Sequence, residues 1–273
     1  MSKVLPYQTG LQAGTAYWMA RLSLAAYSPH SQIDVDDNST STLDQLRAED
    51  ANFQEIYRFD NNSSQAILVE HKEYYCMAFR GTDETKDWLA NVNIRHHSAL
   101  FGEFHSGFWH ALADIWSPLF EKYMDLKRRN PKPLFITGHS LGGALATIAA
   151  AKLIEIDSPF TSVYTFGQPR VLTRSTARIF NAECKHRFFR FHNNNDIVPR
   201  FPTRLSGYSH IGTYLYISEE QQIHQEIGYW HRFIDNLDGL VSSIVTSGID
   251  AIDDHDMQSY LTALSQWHYI ASN

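Results

Sequence analysis

Three residue types, spaced along the second half of the chain, could carry out nucleophilic chemistry: a serine at 140, an aspartate at 196 and a histidine at 255. The serine lies in Gly138-His139-Ser140-Leu141-Gly142, a G-x-S-x-G pattern. There a serine projects from a sharp strand-to-helix turn, and glycines two places before and after it leave room for the turn. The helix that follows would aim its N-terminal N–H groups at the reaction centre. The bare pattern arises by chance in about one chain in ten of this length. Its context is therefore what matters: the apolar run Leu134-Phe135-Ile136-Thr137 precedes it, and the Ala- and Leu-rich run from Ala144 to Ile156 follows.

A serine hydroxyl is a weak nucleophile. It needs a base, and the base needs an acid to orient it. On a parallel sheet the chain order is serine, acid, histidine, with the acid at the carboxyl end of a later strand. Arg187 to His192 reads as such a strand. It runs into Asn193-Asn194-Asn195-Asp196, so Asp196 has the right placement, whereas Asp157 at a helix end and Glu183 before a strand do not. For the base, His255 in the polar Asp254-His255-Asp256-Met257 is best placed, with His210, His224, His231 and His268 as rivals. Stabilising an oxyanion takes two N–H donors. One is expected from Leu141, just after the serine, and the other from Phe79-Arg80-Gly81-Thr82, where Thr82 follows an early strand.

The elements that would hold these residues read as an α/β protein. A helix is expected from Ala16 to Tyr27, ended by Ser28-Pro29. The strands Ala66–Val69 and Tyr74–Phe79 read as a hairpin, and Asp36 to Thr40 as a surface loop. From Trp109 to His192 helices and strands alternate, which argues for a largely parallel sheet covered on both faces. Ser117-Pro118 is expected to kink or break the helix from Trp109 to Arg129. Lys127-Arg128-Arg129 reads as that helix's charged end. Further helices are expected at Thr173–Asn181 and between Gly239 and Leu264. No internal repeat or linker divides the chain, so residues 1–273 are read as one domain.

Composition excludes several classes. The 273 residues carry a net charge of -7 and are 43% hydrophobic, which is globular and leaves no electrostatic footprint for nucleic acid. Two cysteines, Cys76 and Cys184, are too few for a disulfide framework, and Cys76 sits in an apolar run. The fourteen histidines show no metal-site spacing such as H-E-x-x-H, although His192 near Asp196 and the acidic run Asp253-Asp254-Asp256 carry ligand types. No metal and no cofactor is expected. No run approaches a membrane span, and the N-terminus shows no apolar leader. The expectation is a soluble protein, cytoplasmic or secreted without a recognisable signal peptide.

Seven segments, in order, resemble the class 3 lipase family, typified by filamentous-fungal triacylglycerol lipases. They are FRGT from Phe79, DWLAN from Asp87, HSGF from His105, TGHSLGGALA from Thr137, TFGQPR from Thr165, NNDIVPRFP from Asn194 and DHDMQSY from Asp254. The resemblance implies a variant of the α/β-hydrolase fold with a central mixed, mostly parallel sheet. It implies Ser140, Asp196 and His255 as a catalytic triad, Thr82 and Leu141 as the oxyanion pair, and no cofactor. It implies a lid at Asp83–Asn91 whose Trp88 and Leu89 would face substrate or an oil–water interface, and it places His105 and Phe108 in a loop near the serine as pocket wall or support. The implied activity is hydrolysis of carboxylic esters, foremost of triacylglycerols. Short-chain carboxylesterase, feruloyl esterase and phospholipase are the alternatives within this activity, and an inactive lipase-like binding protein is the alternative of a different class.

Overall fold

The strands nearest the expected serine are apolar throughout, and that dictates where they lie. Leu134–His139 and Ser162–Phe166 are buried at every position, as a strand must be when helices cover both faces of its sheet. In the computed structural model, residues 3–28, 41–62, 64–82, 94–225 and 254–267 are described.

In chain order the strands of the main sheet are β1 (Phe53–Asn61), β2 (Ser64–His71), β3 (Tyr75–Phe79), β6 (Leu134–His139), β7 (Ser162–Phe166), β9 (Phe188–Asn193), β11 (Thr213–Ile217) and β12 (Ile223–Gln225). They form one eight-stranded sheet in the order β1-β2-β3-β6-β7-β9-β11-β12. β3, β6, β7, β9 and β11 run parallel. The β1–β2–β3 meander and the β11–β12 pair add antiparallel edges. The sheet is thus mixed and mostly parallel, as the alternation of helices and strands predicts. A smaller four-stranded sheet joins β4 (His96–Ala99), β5 (Gly102–His105), β8 (Leu172–Thr173) and β10 (Tyr208–Ser209). These strands are too short for periodicity to reveal them.

Alternate side chains of each strand point to opposite faces. Tyr75, Met77, Phe79, Leu134 and Ile136 join one apolar cluster with α3 (Ser106–Arg129), α4 (Leu141–Glu155) and α5 (Arg174–Cys184). Cys76, Ala78, Phe135, Tyr164 and Phe166 join the other, with α1 (Ala13–Ala25) and α6 (Met257–Ser265). α1 is fixed to the central strand by a polar clamp: Thr137 Oγ1 lies 2.8 Å from Ser23 Oγ and reaches the Met19 and Tyr164 carbonyls at 3.1 and 2.9 Å. α4 is buried from Gly142 to Ala151, and its run of small residues lets it lie close against the sheet.

α3 buries Phe108, Leu112, Ile115, Leu119, Tyr123 and Leu126. Those steps of three and four form one apolar face. The helix continues through Pro118, correcting the expected break. Proline lacks the N–H that would bond the carbonyl four residues back, and the carbonyl so released, that of Asp114, accepts from Asn61 Nδ2 at 2.9 Å instead. Lys127, Arg128 and Arg129 do form the last turn, where cations favour the dipole. Thr42–Glu49 is a helix, α2, capped by Ser41, whose hydroxyl accepts from Asp44 N at 3.2 Å. The expected loop at Asp36–Thr40, the expected lid at 83–91 with Trp88 and Leu89, the rival bases His231 and His268, and most of the expected C-terminal helix lie outside the described residues. Among the described residues no helix is long and apolar enough to cross a membrane.

Cys76 and Cys184 are both free and buried, and burial raises both thiols above their ordinary value. Only the thiolate reacts. Neither cysteine is therefore expected to react with a disulfide reagent in the native protein, and both should react after denaturation. A fast native reaction at either would contradict this packing.

Candidate active site

β6 ends at His139 and α4 begins at Leu141, so the whole reversal of the chain falls on Ser140. Its backbone sits at φ 56° and ψ -129°. A non-glycine residue in that region costs about 1–3 kcal/mol, and it persists only where its surroundings hold it there. Those surroundings are tight. Ser140 N–H donates to the Phe166 carbonyl of β7 at 2.9 Å, and Gly143 N–H to the Ser140 carbonyl at 2.9 Å. A methyl group placed on Gly138 would lie 2.2 Å from the Gly142 carbonyl oxygen, and one on Gly142 would lie 2.0 Å from the Phe79 carbonyl oxygen. The glycines of the motif are therefore required by close backbone approach, as the pattern implied.

Asp196 follows β9 on the same edge of the sheet. The chain turns through Asn194, at φ 39°, and the turn closes with Asp196 N–H on the Asn193 carbonyl at 2.8 Å. The carboxylate is fully buried and accepts three bonds: from Val198 N–H at 2.9 Å on Oδ1, and from His255 Nδ1 at 2.8 Å and the Tyr260 hydroxyl at 2.5 Å on Oδ2. Burial by itself would raise this acid, but His255, His192 and the Tyr260 hydroxyl outweigh burial and hold it below its ordinary value. A carboxylate so held takes the Nδ1 proton of His255 as its bond. Nε2 is then the basic nitrogen.

The loop carrying His255 is stapled to the loop carrying Asp196. Asn193 Nδ2 donates to the Asp254 carbonyl at 2.9 Å, and the Asp254 carboxylate accepts from Asn194 Nδ2 and Asn195 N–H, each at 3.1 Å. Gly167, at φ +57°, forms the wall beneath the pair: a methyl there would lie 2.7 Å from His255 Cε1 and 2.8 Å from Asp196 Oδ2. Ser140 comes to the same place through its neighbour, since the His139 and His255 rings lie 4.5 Å apart between centroids. Ser140 Oγ and His255 Nε2 are both buried and have no hydrogen-bond partner. Buried polar atoms are normally paired. Here one belongs to a hydroxyl that could act as nucleophile and the other to the basic nitrogen of the Asp196–His255 pair.

Gly81 closes the site from the β3 side. A methyl on it would lie 2.9 Å from Ser140 Cβ, so Thr82 follows a residue pressed against the serine. Leu141 is the first residue of α4, where a backbone N–H has no acceptor within the helix. The expected pocket residues stand differently. His105 is not in a loop but ends β5 and caps α3, its ring accepting from Phe108 N–H at 3.4 Å. Phe108 lies inside α3 and packs into the core and against the His105 ring, 4.2 Å between centroids. Of the rival bases, His210 donates to the Pro199 carbonyl at 2.7 Å and His224 lies on the exposed edge strand β12. Both ring nitrogens of His192 are engaged, by the Asp196 carbonyl at 3.0 Å and the Tyr214 hydroxyl at 3.2 Å, which leaves it no lone pair for a metal. Asp157 is exposed at the end of α4.

With this geometry in place, comparison with known proteins is informative. Residues 76–206 match the family model for lipase (class 3). The secreted mono- and diacylglycerol lipase A of Penicillium cyclopium is 30% identical over 159 residues, covering 56% of this chain and 51% of that protein. The secreted mono- and diacylglycerol lipase 1 of Fusarium solani is 33% identical over 158 residues, covering 56% and 44%. The chain spans about half the length of the curated relatives it matches, 51% and 44% of them. A solved triacylglycerol lipase, described as having a serine protease triad as its catalytic centre, superposes with a TM-score of 0.67 at 22% identity over 88% of this chain and 91% of that one. The fold is that of an α/β hydrolase. The chain is class 3 lipase-like, in sequence across residues 76–206 and in the architecture of its sheet.

Two measurements test this geometry. Gly142→Ala should lower stability by at least about 2 kcal/mol, because the added methyl meets backbone; a chemical-denaturation midpoint equal to wild type would refute the close approach to Phe79. The second concerns acid. Burial, then neighbouring charge, lowers His139 to about 3 and sets His192 at about 4 despite the opposing pull of Asp196. The native state therefore stays unprotonated at both while the unfolded chain takes up protons near pH 6.5. Their contribution to stability is fully present above that value and is lost as pH falls from about 6.5 toward 4, each group adding a slope of about 1.4 kcal/mol per pH unit. Equal urea midpoints at pH 7 and pH 5 would mean that these rings are not held neutral.

Proposed function

We propose that this protein is a serine hydrolase of carboxylic esters, acting on acylglycerols in the manner of a triacylglycerol lipase through an acyl-enzyme on Ser140. The observation that carries this reading is the buried Asp196–His255 pair, which leaves Nε2 basic and unpartnered, together with an equally unpartnered Ser140 Oγ on a strained turn next to His139, whose ring lies 4.5 Å from that of His255. The names of the relatives, mono- and diacylglycerol lipases, favour acylglycerols over other esters.

In this mechanism His255 Nε2 takes the Ser140 proton as Oγ bonds to the ester carbonyl carbon. The carbonyl oxygen becomes an oxyanion and accepts from the N–H groups of Thr82 and Leu141, each worth about 3 kcal/mol of barrier. Asp196 fixes the tautomer and offsets the charge of the imidazolium. Collapse breaks the bond to the leaving alkoxide, which takes the proton from His255. Water then repeats the sequence on the acyl-enzyme and releases the acid. The segment 83–91, with Trp88 and Leu89, is assigned the role of lid, and the acyl chains would enter from a lipid–water interface.

Hydrolysis of tributyrin across its solubility limit tests the reading. The expected result is a sharp rise in rate once droplets form, and a loss of about 10⁴-fold or more in Ser140→Ala. Smooth saturation below the limit would replace the lipase reading by an esterase with an open site. Turnover unchanged in Ser140→Ala, or no turnover and no labelling of Ser140 by a fluorophosphonate, would remove the hydrolase reading altogether.

A further inference from the structure

Tyr27 lies outside every motif that suggested the site and outside the stretch that matches the family model. It stands two residues past the end of α1. Its hydroxyl is 3.1 Å from Gly81 N and 2.7 Å from His139 Nδ1. On the other side of the same ring, His139 Nε2 is 2.7 Å from the carbonyl oxygen of His255.

The directions of these bonds follow from the groups themselves. A carbonyl oxygen only accepts, so His139 Nε2 carries a proton. His139 is buried, and burial together with the neighbouring His255 keeps the ring neutral down to about pH 3. A neutral imidazole has one protonated nitrogen, so Nδ1 is an acceptor. The Tyr27 hydroxyl therefore donates to Nδ1, and its oxygen accepts from Gly81 N–H. The result is one chain of donors running from Gly81 through Tyr27 and His139 to the backbone of His255. Gly81 precedes Thr82, His139 precedes Ser140, and His255 is the base, so each protein group joined by the hydroxyl is within one residue of a reacting position.

We propose that Tyr27 and His139 are positioning residues: the Tyr27 hydroxyl, held just past the N-terminal helix, and the His139 ring set the separation between the first oxyanion donor and the base on either side of Ser140. The inference rests on the ester-hydrolase reading and deepens it. Packing alone would be met by phenylalanine at 27, whose ring could still lie beneath the Arg80 guanidinium as that of Tyr27 does, 5.4 Å from it. What phenylalanine cannot supply is the hydroxyl that joins Gly81 N–H to His139 Nδ1. The state of that ring matters because the two imidazoles stand 4.5 Å apart. A charged His139 would oppose the imidazolium that His255 must become, and an Nδ1-protonated His139 would have no proton for the His255 carbonyl. The titratable and charged groups facing His139 are Tyr27, His255, Asp196 and Tyr260, with Arg80 beyond the Tyr27 ring.

The test is Tyr27→Phe assayed on a soluble short-chain ester, with wild type and Ser140→Ala alongside. Small misplacements of reacting groups cost up to about 100-fold. The expected result is a kcat lowered by about 10- to 100-fold with KM within about twofold, and fluorophosphonate labelling slowed by the same factor. A kcat within about twofold of wild type, or a KM rise with unchanged kcat, would overturn the proposal while leaving the hydrolase reading intact. An inactive, unlabelled wild type would instead remove the hydrolase reading and this inference with it. A second measurement does not depend on the variant folding. Nitrogen NMR of histidine-labelled wild type, with the signal assigned by its loss in His139→Gln, should show a ring protonated at Nε2 alone from pH 8 to pH 5. A titrating ring, or one protonated at Nδ1, would overturn the proposal.

Discussion

The reversal of the chain at a single residue is the constraint on which the rest depends. Ser140 holds a left-handed backbone between a strand buried at every position and a helix of small residues. That conformation is unfavourable for serine and would relax in a less crowded setting. It survives because Gly138, Gly142 and Phe79 are in backbone contact and because β7 bonds to the serine's own N–H. The same crowding explains why α4 carries glycine and alanine at its start, why β3 must end where it does, and why the loop at Gly81 lies against the serine. The rim on which the acid and base converge is therefore set by the packing of β3, β6, β7 and β9 rather than by the loops that carry them.

The polar groups of the site are ordered by the same logic of crowded burial. Asp196 is fully buried yet charged, because three donors converge on it. Burial keeps His139 and His192 neutral, and each has one acceptor for its proton and one hydroxyl for its lone pair. A buried charge without partners is costly, as is a buried neutral ring with unmet bonds. Ser140 Oγ and His255 Nε2 are among the buried polar atoms left without partners, whereas Asp196, His139 and His192 around them are bonded.

Much of this was legible in the sequence, for identifiable reasons. Alternation of apolar strands with helices gave the parallel centre of the sheet, and the glycines around Ser140 gave the turn, because both patterns follow from steric rules that act within a few residues. Asp196 and His255 could be ranked by their place after strands and before a helix. β1 was missed because Phe53–Asn61 is half exposed and rich in charge, so its strand character comes from pairing with β2 rather than from its own pattern. The helix runs through Pro118 without breaking, where Asn61, distant in sequence, satisfies the carbonyl that proline abandons. Tyr27, Tyr260 and Gly167 were not singled out for the site, since each acts across a large sequence separation. Nothing near Tyr27 in the chain signals that its hydroxyl will meet His139. Tyr260 at the end of DHDMQSY and His139 inside G-x-S-x-G were within reach of the motifs, and the signal for them was a polar group at a position that would otherwise be apolar.

The contacts of Asn193, Asn194 and Asn195 with Asp254 close the chain on itself across a separation of about sixty residues. In polymer terms they tie the neck of a large loop immediately beside the acid and the base. The entropy of bringing the ends of such a loop together grows only slowly with its length. Once the neck is tied, the length of the loop adds little to the cost of holding His255 against Asp196. The parts of the loop that bear on the pair are Val198, bonded to the Asp196 carboxylate, and β11, paired with β9, so the neck and this sheet edge together set the alignment.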